Sequence, residues 1–150
     1  MKKTILAFLL LAGVTLGVKA QDDKAKVATK DVPQEVMTAF TGTFANATDV
    51  EWMKKDADYK VSFEIGGVDQ HAMFSSAGKL ISQGKEIKEA ELPEAVKSAI
   101  KKDHPNYRID DAWTIEKDGT TSYKVSLDGS PDKKVKYSAE GKILDEKTDQ

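Results

Sequence analysis

Beyond its first thirty residues the chain is one motif written twice. Val32-Pro33-Gln34-Glu35-Val36 corresponds to Leu92-Pro93-Glu94-Ala95-Val96, and 60 residues separate the two prolines. Ala39 then matches Ala99, Trp52 matches Trp113, and Tyr59-Lys60-Val61-Ser62 returns unchanged as Tyr123-Lys124-Val125-Ser126. The run from Ser75 to Ile81 pairs with the run from Ser138 to Leu144. The offset moves from 60 to 64 and back to 63, and it changes only across expected turns. A single match has little weight, but matches in a common order mark a tandem duplication, so the chain must fold as one structural unit repeated. The first copy is read as residues 32–88 and the second as residues 89–150.

Each copy opens with proline in the first turn of an expected helix, where the missing N–H is harmless. Helical spacing then places Val36, Ala39, Phe40, Thr43 and Phe44 on one face, and Val96, Ala99, Ile100 and His104 on the corresponding face of the second copy. Strand signals follow at residues 49–54, 59–65 and 70–75, and again at 110–117, 122–127 and 133–138, with short tails at Lys79-Leu80-Ile81 and Lys142-Ile143-Leu144. Gly66-Gly67, Asp118-Gly119, Asp128-Gly129, Ala77-Gly78 and Glu140-Gly141 supply turn positions between them. Tyr59, Val61, Phe63 and Ile65 alternate with Lys60, Ser62 and Glu64, so one side of the sheet is core and the other is wet. The same parity turns Tyr123, Val125 and Leu127 inward, and Tyr137 goes in with Val135. The expected class is α+β: two tandem repeats, each a helix packed on one face of an antiparallel meander. Trp52 and Trp113 are expected as equivalent positions.

The amino terminus reads as an export signal. Met1-Lys2-Lys3 is positive, Thr4 to Val18 is almost wholly apolar, and Val18-Lys19-Ala20 offers a cleavage-like site. Residues 1–20 are therefore a signal peptide, residues 21–31 a disordered arm of small, polar and charged residues, and the protein is periplasmic or secreted. No later apolar stretch approaches the length that spans a bilayer. Removing residues 1–20 takes away three lysines and no acid, leaving 20 basic and 25 acidic residues and a net charge of -5. That balance offers no stripe for phosphate neutralisation, so nucleic acid is not an expected partner. The absence of cysteine removes disulfides, thiol nucleophiles and Cys-ligated metals.

A helix opening with proline, then Trp, then Tyr-x-Val at a hairpin, then a strand ending in a Gly-Lys-hydrophobic step, resembles the secreted bacterial PepSY-like family, whose members resemble the beta-lactamase inhibitor protein in their tandem layout. The resemblance covers roughly residues 32–146 and is carried best by the second copy, through Tyr123 to Leu127 and Val135 to Ile143. It implies a non-catalytic protein.

The residues themselves point the same way. His71 and His104 form no ligand motif, no Gly-x-Ser-x-Gly elbow activates a serine, and acids such as Asp56, Asp58, Asp110 and Asp111 sit beside lysines in turns without a calcium-loop pattern. No cofactor and no metal site are expected. The expected function is non-catalytic binding of a protein or peptide, inhibitor-like or chaperone-like; the competing classes are a cell-envelope hydrolase and a periplasmic metal-handling module. Alternation assigns the docking face. The first copy presents Met53, Lys60, Glu64, His71 and Met73 there, beside Glu51 and Ser62, and the second presents Lys124, Lys134 and Lys136, beside Thr114 and Ser126. Methionine adapts to a partner's shape, which makes Met53 and Met73 the centre of the expected site and the three lysines a cationic flank.

Overall fold

The structure is a computed structural model in which residues 24–149 are described. The expected signal peptide, and residues 21–23 of the expected arm, lie outside the described residues. From the amino end the elements are β1 (Lys24–Val27), a 3-10 turn (Thr29–Asp31), α1 (Gln34–Thr43), β2 (Thr48–Lys55), β3 (Asp58–Ile65), β4 (Val68–Phe74) and β5 (Leu80–Ile87). A second 3-10 turn (Glu89–Glu91) leads to α2 (Glu94–Asp103), β6 (Arg108–Lys117), β7 (Thr120–Asp128), β8 (Lys133–Ser138) and β9 (Ile143–Thr148). The nine strands form one sheet in chain order, each antiparallel to the next.

The arm differs from expectation. Lys24–Val27 is a strand, and Thr29–Asp31 a 3-10 turn. Four residues are too few to show a period, but β2 would otherwise be an open edge with unpaired N–H and C=O groups, and β1 pairs with it from Lys24 opposite Lys55 to Val27 opposite Trp52. Val27 then packs on the first apolar cluster.

This strand also reveals how the duplication closes. β5 pairs with β6 as β1 pairs with β2, with Ile87 opposite Ala112. β5 therefore ends the first five-stranded unit and begins the second. Backbone detail repeats as well. Pro33 and Pro93 sit just before their helices, and their carbonyls accept from the N–H groups of Met37 at 3.0 Å and Lys97 at 3.1 Å. At the far ends, Phe44 and His104 each donate their N–H to the carbonyl four residues back at 2.8 Å.

The buried apolar side chains among the described residues fall into two clusters, one in each repeat. Val36 and Phe40 of α1 share the first with Val32, Trp52, Val61, Phe63, Ala72 and Phe74. Val96 and Ile100 of α2 share the second with Leu92, Ala112, Val125, Leu127, Val135 and Tyr137. Edge-to-face contacts of Phe40 with Trp52 at 5.3 Å and with Phe63 at 5.2 Å knit the first. Alternation along β5 puts both clusters on one side of the sheet, because Gln83 faces Ala72 and Ile87 faces Ala112 while Gly84 and Glu86 point the other way. The opposite side is the outer face.

The two tryptophans are not equivalent. Trp52 pairs with Val61 and is 1% exposed, whereas the residue opposite Val125 is Ala112, and Trp113 pairs with Lys124 on the outer face. A slip of one residue in a strand exchanges faces, and the match at offset 61 was such a slip. Thr114, expected outward, points inward opposite Tyr123 for the same reason.

Candidate functional site

Thr114 apart, every side chain expected on the docking face lies on the outer face by register, but they do not form one site. Met53, Lys60 and Met73 stand in one cross-strand row, with Lys60 between the methionines. His71 stands opposite Ser62, and Glu64 opposite Asp69 near the β3–β4 turn. Lys124 pairs with Lys136, and Lys134 lies opposite Ser126. A cavity of about 430 Å³ gathers Lys60, Glu64, His71 and Lys124 together with Trp113, Ser62, Asp49, Glu51 and Asp69. Met53, Met73, Lys134 and Lys136 are outside it.

The cationic flank is also less cationic than expected. Lys134 donates to Asp149 at 2.5 Å, which holds its ammonium above the usual lysine range. Lys136 lies opposite Asp145, which Lys147 approaches at 3.9 Å. These pairs are solvent-exposed and carry little energy.

The residue that sequence reasoning missed is Trp113. Its ring lies 5.1 Å from that of His71 at an interplanar angle of 39°. The pair is built over a gap in the sheet surface: Gly84 lies between His71 and Ile115 in the register, and a Cβ there would stand 2.4 Å from His71 Cε1 and 2.9 Å from Ile115 Cδ1. Glycine leaves room for the imidazole to lie across β5 toward Trp113. Counting from the hairpin would have found this. Trp52 is four residues before Asp56 and Trp113 five before Asp118, the first turn residue in each copy, so their parities differ.

Charge surrounds the aromatic pair. Burial, then Lys60, then Lys124, lowers the His71 pKa from 6.5 to about 4, so the ring is neutral at pH 7. Glu51, at one rim, receives Lys26 at 2.9 Å. Because the unfolded chain takes up a proton near pH 6.5 and the folded chain only near pH 4, the His71 contribution to stability is complete above pH 6.5 and is lost as pH falls through about 4. Urea titrations between these limits should show a stability slope that His71→Gln flattens; an unchanged slope in that variant would place the proton uptake elsewhere.

Comparison with known proteins supports the repeat layout independently. The family model described as "Putative beta-lactamase-inhibitor-like, PepSY-like" matches twice, at residues 19–82 and 79–145. The two matches overlap at 79–82, where shared β5 begins. Among solved structures, a "putative periplasmic" protein from Bacteroides eggerthii is 15% identical, with a TM-score of 0.73 over 78% of this chain and 88% of that one. A DUF2874 family protein from Bacteroides uniformis is 16% identical, with a TM-score of 0.70 over 77% and 88%. A BLIP-like protein from Bacteroides fragilis is 23% identical, with a TM-score of 0.65 over 77% and 86%. At these identities the likeness is one of fold. No curated protein matches the chain significantly.

Proposed function

This chain belongs to the PepSY-like, beta-lactamase-inhibitor-like family, and from that premise we propose that it is a non-catalytic periplasmic binding protein whose outer sheet face holds a protein or peptide partner. The observation that carries this reading is the cavity around Trp113 and His71, an aromatic pair set in mid-sheet and ringed by charges of both signs. Aromatic anchors within a polar rim are the usual composition of a protein-binding hot spot. Ser62 stands opposite His71, but a ring whose pKa lies near 4 is a weak base at neutral pH, which argues against a serine nucleophile activated by it. The periplasmic location is supported by the description of the Bacteroides eggerthii neighbour, and no helix among the described residues is long and apolar enough to cross a membrane.

In the same reading, residues 1–20 are a leader removed on export, and residues 32–88 and 89–150 are the repeats. Each repeat is one helix seated on one face of its own meander, a packing supported by the two apolar clusters that helix and strand residues share. Met53 and Met73 then border the docking area, while Lys134 and Lys136 lie at its far margin.

Immobilised protein should capture a partner from the native envelope fraction. The double variant Trp113→Ala with Lys124→Glu should lose that partner, and Lys101→Glu on exposed α2 should keep it. Capture that survives the double variant would overturn the outer face as the docking site.

A further inference from the structure

Resting on the reading of the outer face as a docking site, we propose that its cavity takes a basic side chain from the partner, arginine or lysine, with the stem on the Trp113 ring and the cationic head among Asp49, Glu64 and Asp69. The lining charges decide the sign. Four acids, Asp49, Glu51, Glu64 and Asp69, line the cavity against two lysines, Lys60 and Lys124. Glu51 receives Lys26 at 2.9 Å, and Lys60 is already engaged. Asp49, Glu64 and Asp69 then face Lys124 alone, and none of these acids has an ion-pair partner among the described residues.

The register makes these acids costly without an occupant. Glu64 stands directly opposite Asp69, and continuing the pairing of Gln70 with Lys85 brings Asp69 beside Glu86, which is opposite Trp113. Carboxylates on β3, β4 and β5 thus run in one cross-strand row up to the tryptophan, and like charges set opposite one another repel. Neither lysine of the cavity stands in the gap. The backbone of Lys60 is four residues along β3 from Glu64, roughly 13 Å, and that of Lys124 is three strands from Asp69, roughly 14 Å, on the far side of Trp113. A cation held at the acidic end relieves the repulsion. The indole beside that end suits the same ligand, because an arginine or lysine stem packs on a ring while its charge is drawn to the π-face. His71, 5.1 Å from the indole and neutral at pH 7, adds no opposing charge. Lys124 repels the head from its own side, so the side chain lies with its head toward Asp69 and Glu64. A volume of about 430 Å³ has room for one such side chain and part of its neighbours.

The tryptophan and the acids are separate reporters. The probes are acetyl-Gly-Gly-Arg-Gly-Gly-amide and its twin with glutamate in place of arginine, added to labelled protein while the Trp113 indole N–H, assigned with Trp113→Ala, is followed by NMR. The arginine peptide should shift the indole signal and the carboxyl carbons of Glu64 and Asp69, and the glutamate twin should not. Glu64→Gln and Asp69→Asn should each weaken the arginine peptide at least about threefold, whereas Glu35→Gln, on α1 across the sheet, should leave its affinity unchanged. Both cavity variants should hold or raise the urea midpoint, because each removes one of two opposed like charges. Silence of the indole at about 10 mM arginine peptide, equal or better binding of the glutamate twin, indifference to both cavity variants, or a lowered urea midpoint in both would each overturn the basic selectivity. Preference for the glutamate twin would do so while leaving the docking face intact, whereas envelope capture surviving Trp113→Ala with Lys124→Glu sinks the docking face whatever the peptides do.

Discussion

Trp52→Ala is expected to destabilise the protein by about 3–5 kcal/mol, and Trp113→Ala by no more than about 1 kcal/mol. The residue type is the same and so is the approximate place in the repeat, but the faces differ. Trp52 is 1% exposed and edge-on to Phe40 at 5.3 Å. Its truncation would open a cavity where α1 residues meet the sheet. Its indole N–H has no hydrogen-bond partner, so the loss is one of packing. Ala112 occupies the equivalent place in the second repeat, where Leu127, Val135 and Tyr137 fill the cluster instead. Trp113, half-buried on the outer face, loses mainly its contact with His71. Paired urea unfolding curves measure both, and equal losses would mean that the two positions share a core role after all.

That asymmetry shows what was legible in the sequence. The duplication, the helices after Pro33 and Pro93 and the parity of β3, β4, β7 and β8 were all readable, because each rests on an unbroken local pattern. β2 and β6 were not aligned correctly, because conspicuous residue identity outweighed parity. The second hairpin is longer by two residues on each strand: Ala112 is six before Asp118 where Trp52 is four before Asp56, and Val125 is seven after it where Val61 is five. An even extension keeps every face in place and accounts for the change of offset from 60 to 64, whereas the odd offset of 61 could not. The candidate site suffered most from this, since its floor depends on the tryptophan matched with Trp52 and on Gly84, whose role appears only when β4, β5 and β6 are placed side by side. Lys60, Glu64, His71 and Lys124 were placed by alternation alone. No sequence signal separated them from Lys134 and Lys136, whose acidic neighbours come from β9 and the residue that follows it.

The Gly-Lys step that closes each repeat should prove the other costly position to alter. Gly78 and Gly141 have φ angles of +80° and +82°, and the space beside each is filled by helix backbone. A Cβ at Gly78 would stand 2.6 Å from the carbonyl oxygen of Glu35, and one at Gly141 would stand 2.4 Å from that of Ala95. The two turns thus rest against the first turns of α1 and α2 at matching places, and backbone cannot yield as a flexible side chain can. Gly119 is the internal control, with φ of +72° but nothing within 4 Å of a built Cβ. Gly119→Ala should therefore cost only the left-handed backbone penalty, about 1–2 kcal/mol. Gly141→Ala bears the same penalty plus overpacking of about 1–3 kcal/mol, for a total of roughly 2–5 kcal/mol, and Gly78→Ala should match it. The excess over Gly119→Ala measures the contact between turn and helix in isolation from glycine's conformational freedom. If all three variants melt together, the turns do not bear on the helices, and the Gly-Lys signature reflects φ alone.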